Sequence, residues 1–375
     1  MAAKNALNIS YLHWGFHGWA IYALMGLSIA FFCYNRGLSL GVRWVLYPLF
    51  GDRLRGPIGH FIDIMAVVAT MFGLATTLGL GIQHINSGMH YLFDITENAN
   101  VQVILIAIIT ICATISVVSG LHKGIKMLSK IASVMAIMLM VFMLVVGPTL
   151  FILGSTVQST GYYLQNLIET GTWMEVYKGT HWMDSWTIFY WGWWFAWAPF
   201  VGLFIARISK GRTIREFVFG VVLIPSAVSI AWISIFGSTA FHIELFVQGG
   251  MSEVVNENIA TALFSLLEHY PMPFLSIFFV VVAGVLFFVT SSDSGSLVID
   301  FLTNGGREKT NVWLRIFWAL LEGVVAATLV FGGGLIALQT GSLVTGLPVC
   351  ILMLIICYST LKALRKYQAE SEINK

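Results

Sequence analysis

Charge is scarce in this sequence: Asp, Glu, Lys and Arg make up 10% of the 375 residues, against about 25% in an ordinary soluble domain. Hydrophobic residues reach 58%, which excludes a water-soluble globule of this size. Cysteine is scarce too. The four, Cys33, Cys112, Cys350 and Cys357, sit inside or beside apolar runs without paired spacing, which argues against a disulfide framework or zinc site and for small buried hydrophobes. A net charge of +2 suggests neither nucleic acid nor an acidic partner surface. Residues 1 to 10 are polar and do not read as the start of a cleavable signal peptide.

What the chain has instead is apolar runs of about 20 residues, the length that a bilayer core of about 30 Å requires. Hydropathy predicts spans near 14 to 33, 58 to 81, 101 to 119, 131 to 153, 186 to 205, 217 to 240, 273 to 297, 313 to 334 and 343 to 361. The expected fold is an all-α polytopic membrane protein of about nine helices. Basic residues partition by alternate loops: Arg36, Arg43, Arg53 and Arg55; Lys123, Lys126 and Lys130; Arg207, Lys210, Arg212 and Arg215; Arg307, Lys309 and Arg315; and Lys362, Arg365, Lys366 and Lys375. These are 18 of the 20, and only Lys4 and Lys178 share the other side with acidic residues such as Asp94, Glu97, Glu169 and Glu268. The positive-inside rule then puts the C-terminus in the cytoplasm and the N-terminus outside. Two outer connections, Ser159 to Thr170 and Asn258 to Tyr270, have helical spacing and mixed polarity, as short amphipathic helices at the interface would. A lid over neighbouring helices is the alternative.

The most informative segment is Ser185 to Val201, SWTIFYWGWWFAWAPFV, with five of the chain's 13 tryptophans. Trp182 and Trp186 suit an interfacial aromatic belt. Deeper rings do not: entering from Ser185 at 1.5 Å per residue, Trp193 to Trp197 lie roughly 12 to 18 Å down, near the membrane midplane. At about 100° per residue, Tyr190, Trp193, Trp194 and Trp197 share one face while Trp191 points away. Electron-rich rings converging at mid-membrane, with no carboxylate on the same turns, suit a quaternary ammonium, which has no N–H to donate and is held by cation–π contact. Trp14, Trp19 and Tyr22 make a second aromatic face on the first span and could form the other wall.

Hydroxyls follow the apolar run 274 to 289: Thr290, Ser291, Ser292, Ser294 and Ser296, with Asp293 among them. They could line an ion path or bond back to their own helix carbonyls, and the residues alone leave both open. Asp63 and Asp300 lie towards cytoplasmic ends, where capping or pairing with loop arginines is expected, and Glu322 is deeper, without a clear role. Enzyme signatures are weak. Gly37 to Gly41 satisfies GxSxG in a basic loop without strand context, and His13 and His17 have no HExxH around them. A closed aromatic cage also argues for stoichiometric binding over a channel.

SWTIFYWGWW followed by APFVGLFIARISKGRTIREF resembles the signature of the betaine/choline/carnitine transporter (BCCT) family, secondary carriers of onium-bearing compatible solutes. HWGFHGWAIYALMGLSIAF and FFVTSSDSGS resemble that family's patterns as well. The resemblance implies a LeuT-type inverted-repeat core. It would divide the chain into an incomplete first repeat (1–153), an outer loop with an amphipathic helix (154–185), a second five-helix repeat (186–361) and a short cytoplasmic tail (362–375). Family members have 12 spans, and this chain starts at what looks like the fourth, so it resembles an N-terminally truncated member lacking the glycine-rich broken helix. By the same resemblance Trp193, Trp194 and Trp197 match the substrate box, and Trp14, Trp19 and Tyr22 match the second aromatic group. Thr290 and Ser291 match side-chain ligands of a sodium site, to which Phe287 adds a backbone carbonyl. No cofactor is implied beyond sodium as coupling ion. The implied activity is import of glycine betaine, choline or carnitine across a bacterial inner membrane by a homotrimer. The family's sodium-independent exchangers place a basic side chain from the helix matching 131 to 153, which here holds none beyond its cytoplasmic end, so sodium coupling is expected. Proton coupling, exchange of the same solute class and an inactive fragment are the alternatives.

Overall fold

The structure, a computed structural model, describes residues 2–119, 122–306 and 311–373, and the regular elements among them are all helical. Helix α1 (Ala2–Trp14) starts a dozen residues before the predicted span, and α2 (Phe16–Ala30) follows a break at Gly15. The break needs glycine: a Cβ there would come within 2.4 Å of the Tyr11 carbonyl oxygen. Helix α3 (Pro57–Phe93) has 37 residues, roughly 55 Å, so it outruns a bilayer core at its ends. Helices α4 (Ala99–Ser119) and α5 (His122–Val146) follow.

The predicted fourth span, 131 to 153, is corrected by the structure. Helix α5 stops at Val146 because Pro148 has no N–H to give to the Leu144 carbonyl, and the Thr149 hydroxyl takes that carbonyl instead at 2.7 Å. A new helix, α6 (Thr149–Gln165), begins there, so the predicted amphipathic segment 159 to 170 is split between α6 and the short Leu167–Thr172 helix. The second amphipathic segment does form, as a turn at Ile259–Thr261 and helix α9 (Ala262–Glu268), which buries Phe264, Leu266 and Leu267. Before it come α7 (Phe189–Ile208), which carries the tryptophans, and α8 (Ile224–His242). After it come α10 (Pro273–Thr303) and α11 (Val312–Ile373).

By length and composition, eight helical stretches among the described residues are able to cross a membrane. The last of them doubles back. Gly334 breaks α11 (φ 55°, ψ −134°), and residues from both of its halves meet the segment 43–63. Trp318 shares a cavity with Arg43 and Asp63, while Ser359 Oγ donates to the Val45 carbonyl at 2.6 Å. That agrees with the separate spans predicted at 313 to 334 and 343 to 361.

Ion pairs, hydrogen bonds and ring contacts gather the basic segments around Arg36, Arg207 and Lys362 at one end of the bundle. Arg36 pairs with Glu370 at 2.7 Å, Lys362 donates to the Pro48 carbonyl at 3.3 Å, and Arg207 lies 5.7 Å from the Phe301 ring. At the other end Lys4 sits 3.6 Å from the Tyr162 ring, and Asn258 on the stretch before α9 donates to Glu97 at 3.1 Å. Arg307, Lys309, Lys375 and the Lys123 side chain lie outside the described residues. Asp63 takes the expected loop arginine, Arg43, as its partner, and Asp300 Oδ1 accepts from Asn304 Nδ2 at 2.8 Å.

The core that positions the site lies between α2, α3, α7, α10 and α11, around Met25, Ala66, Ala69, Ala196, Ala198, Ile299 and Val349. Small residues let the backbones approach, as is common between membrane helices.

Candidate functional site

Trp14, Trp19, Tyr22, Thr77, Trp193, Trp194, Trp197 and Val201 line a cavity of about 300 Å³, at the small end for a ligand pocket. Six of the seven aromatic residues singled out in the sequence are among them. The two walls meet through Trp194, whose ring centroid lies 4.5 Å from that of Tyr22, 5.6 Å from Trp19 and 5.8 Å from Trp14. Trp14 and Trp193 close the cavity edge to face, with centroids 6.0 Å apart. No charged side chain is among the lining residues.

The three tryptophan rings of α7 are anchored through their N–H groups. Trp194 Nε1 donates to the His13 carbonyl at 2.9 Å. That carbonyl belongs to the last turn of α1, just before the break at Gly15. Trp197 Nε1 donates to the Gly73 carbonyl and to Thr77 Oγ1, both at 3.0 Å, and Trp193 Nε1 donates to Thr77 Oγ1 at 3.1 Å. With the edges tied to protein, the faces are what the box tryptophans offer a ligand. Two glycines provide the space: a Cβ on Gly18 would meet the Trp194 ring at 2.5 Å, and one on Gly73 the Trp197 ring at 2.9 Å.

Tyr190 departs from the expectation. It shares the face but sits one turn outward of Trp193, and it lines a neighbouring cavity of about 290 Å³ with His13, Trp14, Trp182 and Trp186. Its ring stacks on His13 at 4.5 Å and 16°, and the stack continues through Trp186 and Trp182. Trp14 and Tyr190, edge to face at 5.6 Å, stand where the two cavities meet. Trp191 does turn away, towards His13 and His17. His13 is occupied structurally, its Nε2 within 2.9 Å of Thr187 Oγ1.

Phe287, Thr290 and Ser291 lie on α10, which runs unbroken through them. Thr290 Oγ1 is buried and donates to the carbonyls of Leu286 and Phe287 at 2.9 and 3.0 Å, the back-bonded arrangement that the sequence left open beside the ion path. Glu322 gains a partner that the sequence did not foresee: Ser292 Oγ donates to its carboxylate at 3.1 Å, with both side chains buried. Thr77 and Val201 were missed as lining residues. A threonine inside an apolar span carries the same signal as Thr290, so Thr77 was within reach of the sequence. Val201, one helical turn beyond Trp197, gave none.

A family model for BCCT, betaine/carnitine/choline family transporters, matches residues 1–369. An uncharacterised transporter of Mycobacterium tuberculosis is 46% identical over 371 residues, covering 96% of this chain and 62% of that protein. A glycine betaine transporter of Acinetobacter baylyi is 41% identical over 367 residues (97% and 55%). A glycine betaine/proline/choline/ectoine transporter of Vibrio parahaemolyticus is 43% identical over 367 residues (97% and 65%). The chain thus spans between 55% and 65% of the length of these three relatives.

Proposed function

The chain belongs to the betaine/carnitine/choline transporter family, and on that premise we propose that it binds a small quaternary-ammonium solute in the tryptophan cage and carries it across the membrane. The observation that carries the reading is the cavity itself: six aromatic side chains and no charged one among its lining residues. A trimethylammonium head has no N–H to offer, and its charge is attracted by ring faces. A primary ammonium head buried there would leave its N–H groups short of acceptors, which is costly at membrane depth. The names of the relatives agree with this solute class, since those of Acinetobacter and Vibrio are named for glycine betaine. Calorimetric titration of the purified protein with glycine betaine tests it. Saturable, one-to-one binding that is competed by tetramethylammonium and not by glycine is expected; equal competition by glycine would overturn the reading.

Coupling to sodium is the second part of the proposal. Thr290, Ser291 and the Phe287 carbonyl supply the oxygen ligands that a hard cation wants. The Thr290 hydroxyl gives its proton to the Leu286 and Phe287 carbonyls, which leaves its lone pairs for a cation. Thr290→Ala and Ser291→Ala are therefore expected to raise the sodium concentration needed for half-maximal uptake more than they weaken solute binding at saturating sodium. Uptake in proteoliposomes with an imposed sodium gradient reads this directly. Uptake that ignores sodium and collapses with a protonophore would assign the coupling to protons.

A further inference from the structure

We propose that Thr77 is a positioning residue of the cage, its hydroxyl fixing the tilt of Trp193 and Trp197 so that their faces present to the onium head. A threonine hydroxyl has one proton to give and two lone pairs to receive with. Here all three are used. The Thr77 hydroxyl donates to the Gly73 carbonyl at 3.0 Å and accepts the indole N–H of Trp193 at 3.1 Å and of Trp197 at 3.0 Å. For Trp193 this is the one indole hydrogen bond among the described residues, whereas Trp197 shares its N–H with the Gly73 carbonyl. One oxygen on α3 therefore sets two rings on α7.

Tilt matters because the attraction of a cation to an indole is strong over the face and is lost towards the positive edge. The N–H lies on that edge, so anchoring it turns the edge to the protein and leaves the face to the cavity. The remaining contacts hold the rings less specifically. Trp193 stacks on Phe189 at 5.5 Å and 17°, and stacked rings slide over one another more readily than a hydrogen-bonded edge moves. Trp194, anchored separately to the His13 carbonyl, is outside Thr77's control and serves as the internal reference.

The proposal rests on the solute reading above, and its test includes a measurement that needs no solute. The protein is labelled with 5-fluorotryptophan, and Trp193→Phe, Trp194→Phe and Trp197→Phe assign the three fluorine resonances. In the ligand-free protein Thr77→Val, which keeps the side-chain shape and removes the acceptor, should move those of Trp193 and Trp197 and leave that of Trp194 in place. Thr77→Ser, which keeps the acceptor, should leave all three. With tetramethylammonium as the probe, Thr77→Val should weaken binding on the order of tenfold, and Thr77→Ser should return it to within about twofold of the parent. On a Trp193→Phe, Trp197→Phe background, which has no indole N–H to hold, Thr77→Val should cost little further affinity. Unmoved resonances in Thr77→Val would overturn the clamp, as would an undiminished affinity or shifts spread over most of the tryptophans. A parent protein that fails to bind tetramethylammonium would overturn the solute reading instead, and the fluorine spectra would still decide whether Thr77 holds the rings.

Discussion

Trp194→Leu is expected to weaken glycine betaine binding more than any other single replacement in the cage, by at least tenfold at the upper end of the cation–π range of about 0.5 to 2 kcal/mol. The reason is its central place: the ring is 5% exposed, lines the cavity and touches Trp14, Trp19 and Tyr22 at once. Removing it deletes one face and frees three others to reorient. Trp193→Leu and Trp197→Leu remove one face each and should cost about 0.5 to 2 kcal/mol of binding. Trp191→Leu should leave affinity nearly unchanged, because that ring packs towards His13 and His17. Calorimetry on the four variants checks the ordering. Sensitivity at Trp191 together with tolerance at Trp193 would mean that the cage is not the binding site.

The second large effect is on stability. Helix α11 crosses α7 with Gly346 lying against Gly192, so closely that a Cβ on Gly346 would sit 2.2 Å from the Gly192 carbonyl oxygen. Backbone stands on the other side of that contact, so no side chain can swing aside. Gly346→Ala must push the two helices apart. The loss expected for forced overpacking is about 1 to 3 kcal/mol or more. Since α7 carries Trp193, Trp194 and Trp197, the same displacement should loosen the cage. A lower thermal transition in detergent together with weaker onium binding is the expected pair of results. Gly332→Ala, on the same helix with nothing within 4 Å of the added carbon, is the control and should change neither. An unaltered transition in Gly346→Ala would show that the helices do not cross as closely as described.

The binding variants and the crossing variant separate different physical causes. Leucine at 194 removes ring faces, whereas alanine at 346 leaves every ring in the chain and moves the helix that bears three of them. A cage defined only by which residues are present would respond to the first and ignore the second.

Much of the architecture was legible in the sequence because a bilayer imposes one-dimensional rules. Apolar runs of about 20 residues, scarce charge and basic residues partitioned by loop are properties of the chain as written, and they located the membrane helices, although some ends fall about a dozen residues away. The common face of Trp193, Trp194 and Trp197 was equally legible, because the period of a helix fixes which neighbours share a side. The helix ends were less so. Pro148 sits in an apolar run that hydropathy reads straight through, and only its missing N–H, answered by the Thr149 hydroxyl, ends α5. What the sequence could not supply was contact between distant segments. That Trp14, Trp19 and Tyr22 face the tryptophans of α7, that Thr77 on α3 holds two of their rings, that Tyr190 falls into the next cavity and that Ser292 meets Glu322 all depend on how helices are set beside one another. Those arrangements are decided by close approach at glycines such as Gly18, Gly73 and Gly346 and by hydrogen bonds across tens to hundreds of residues, which no local periodicity encodes.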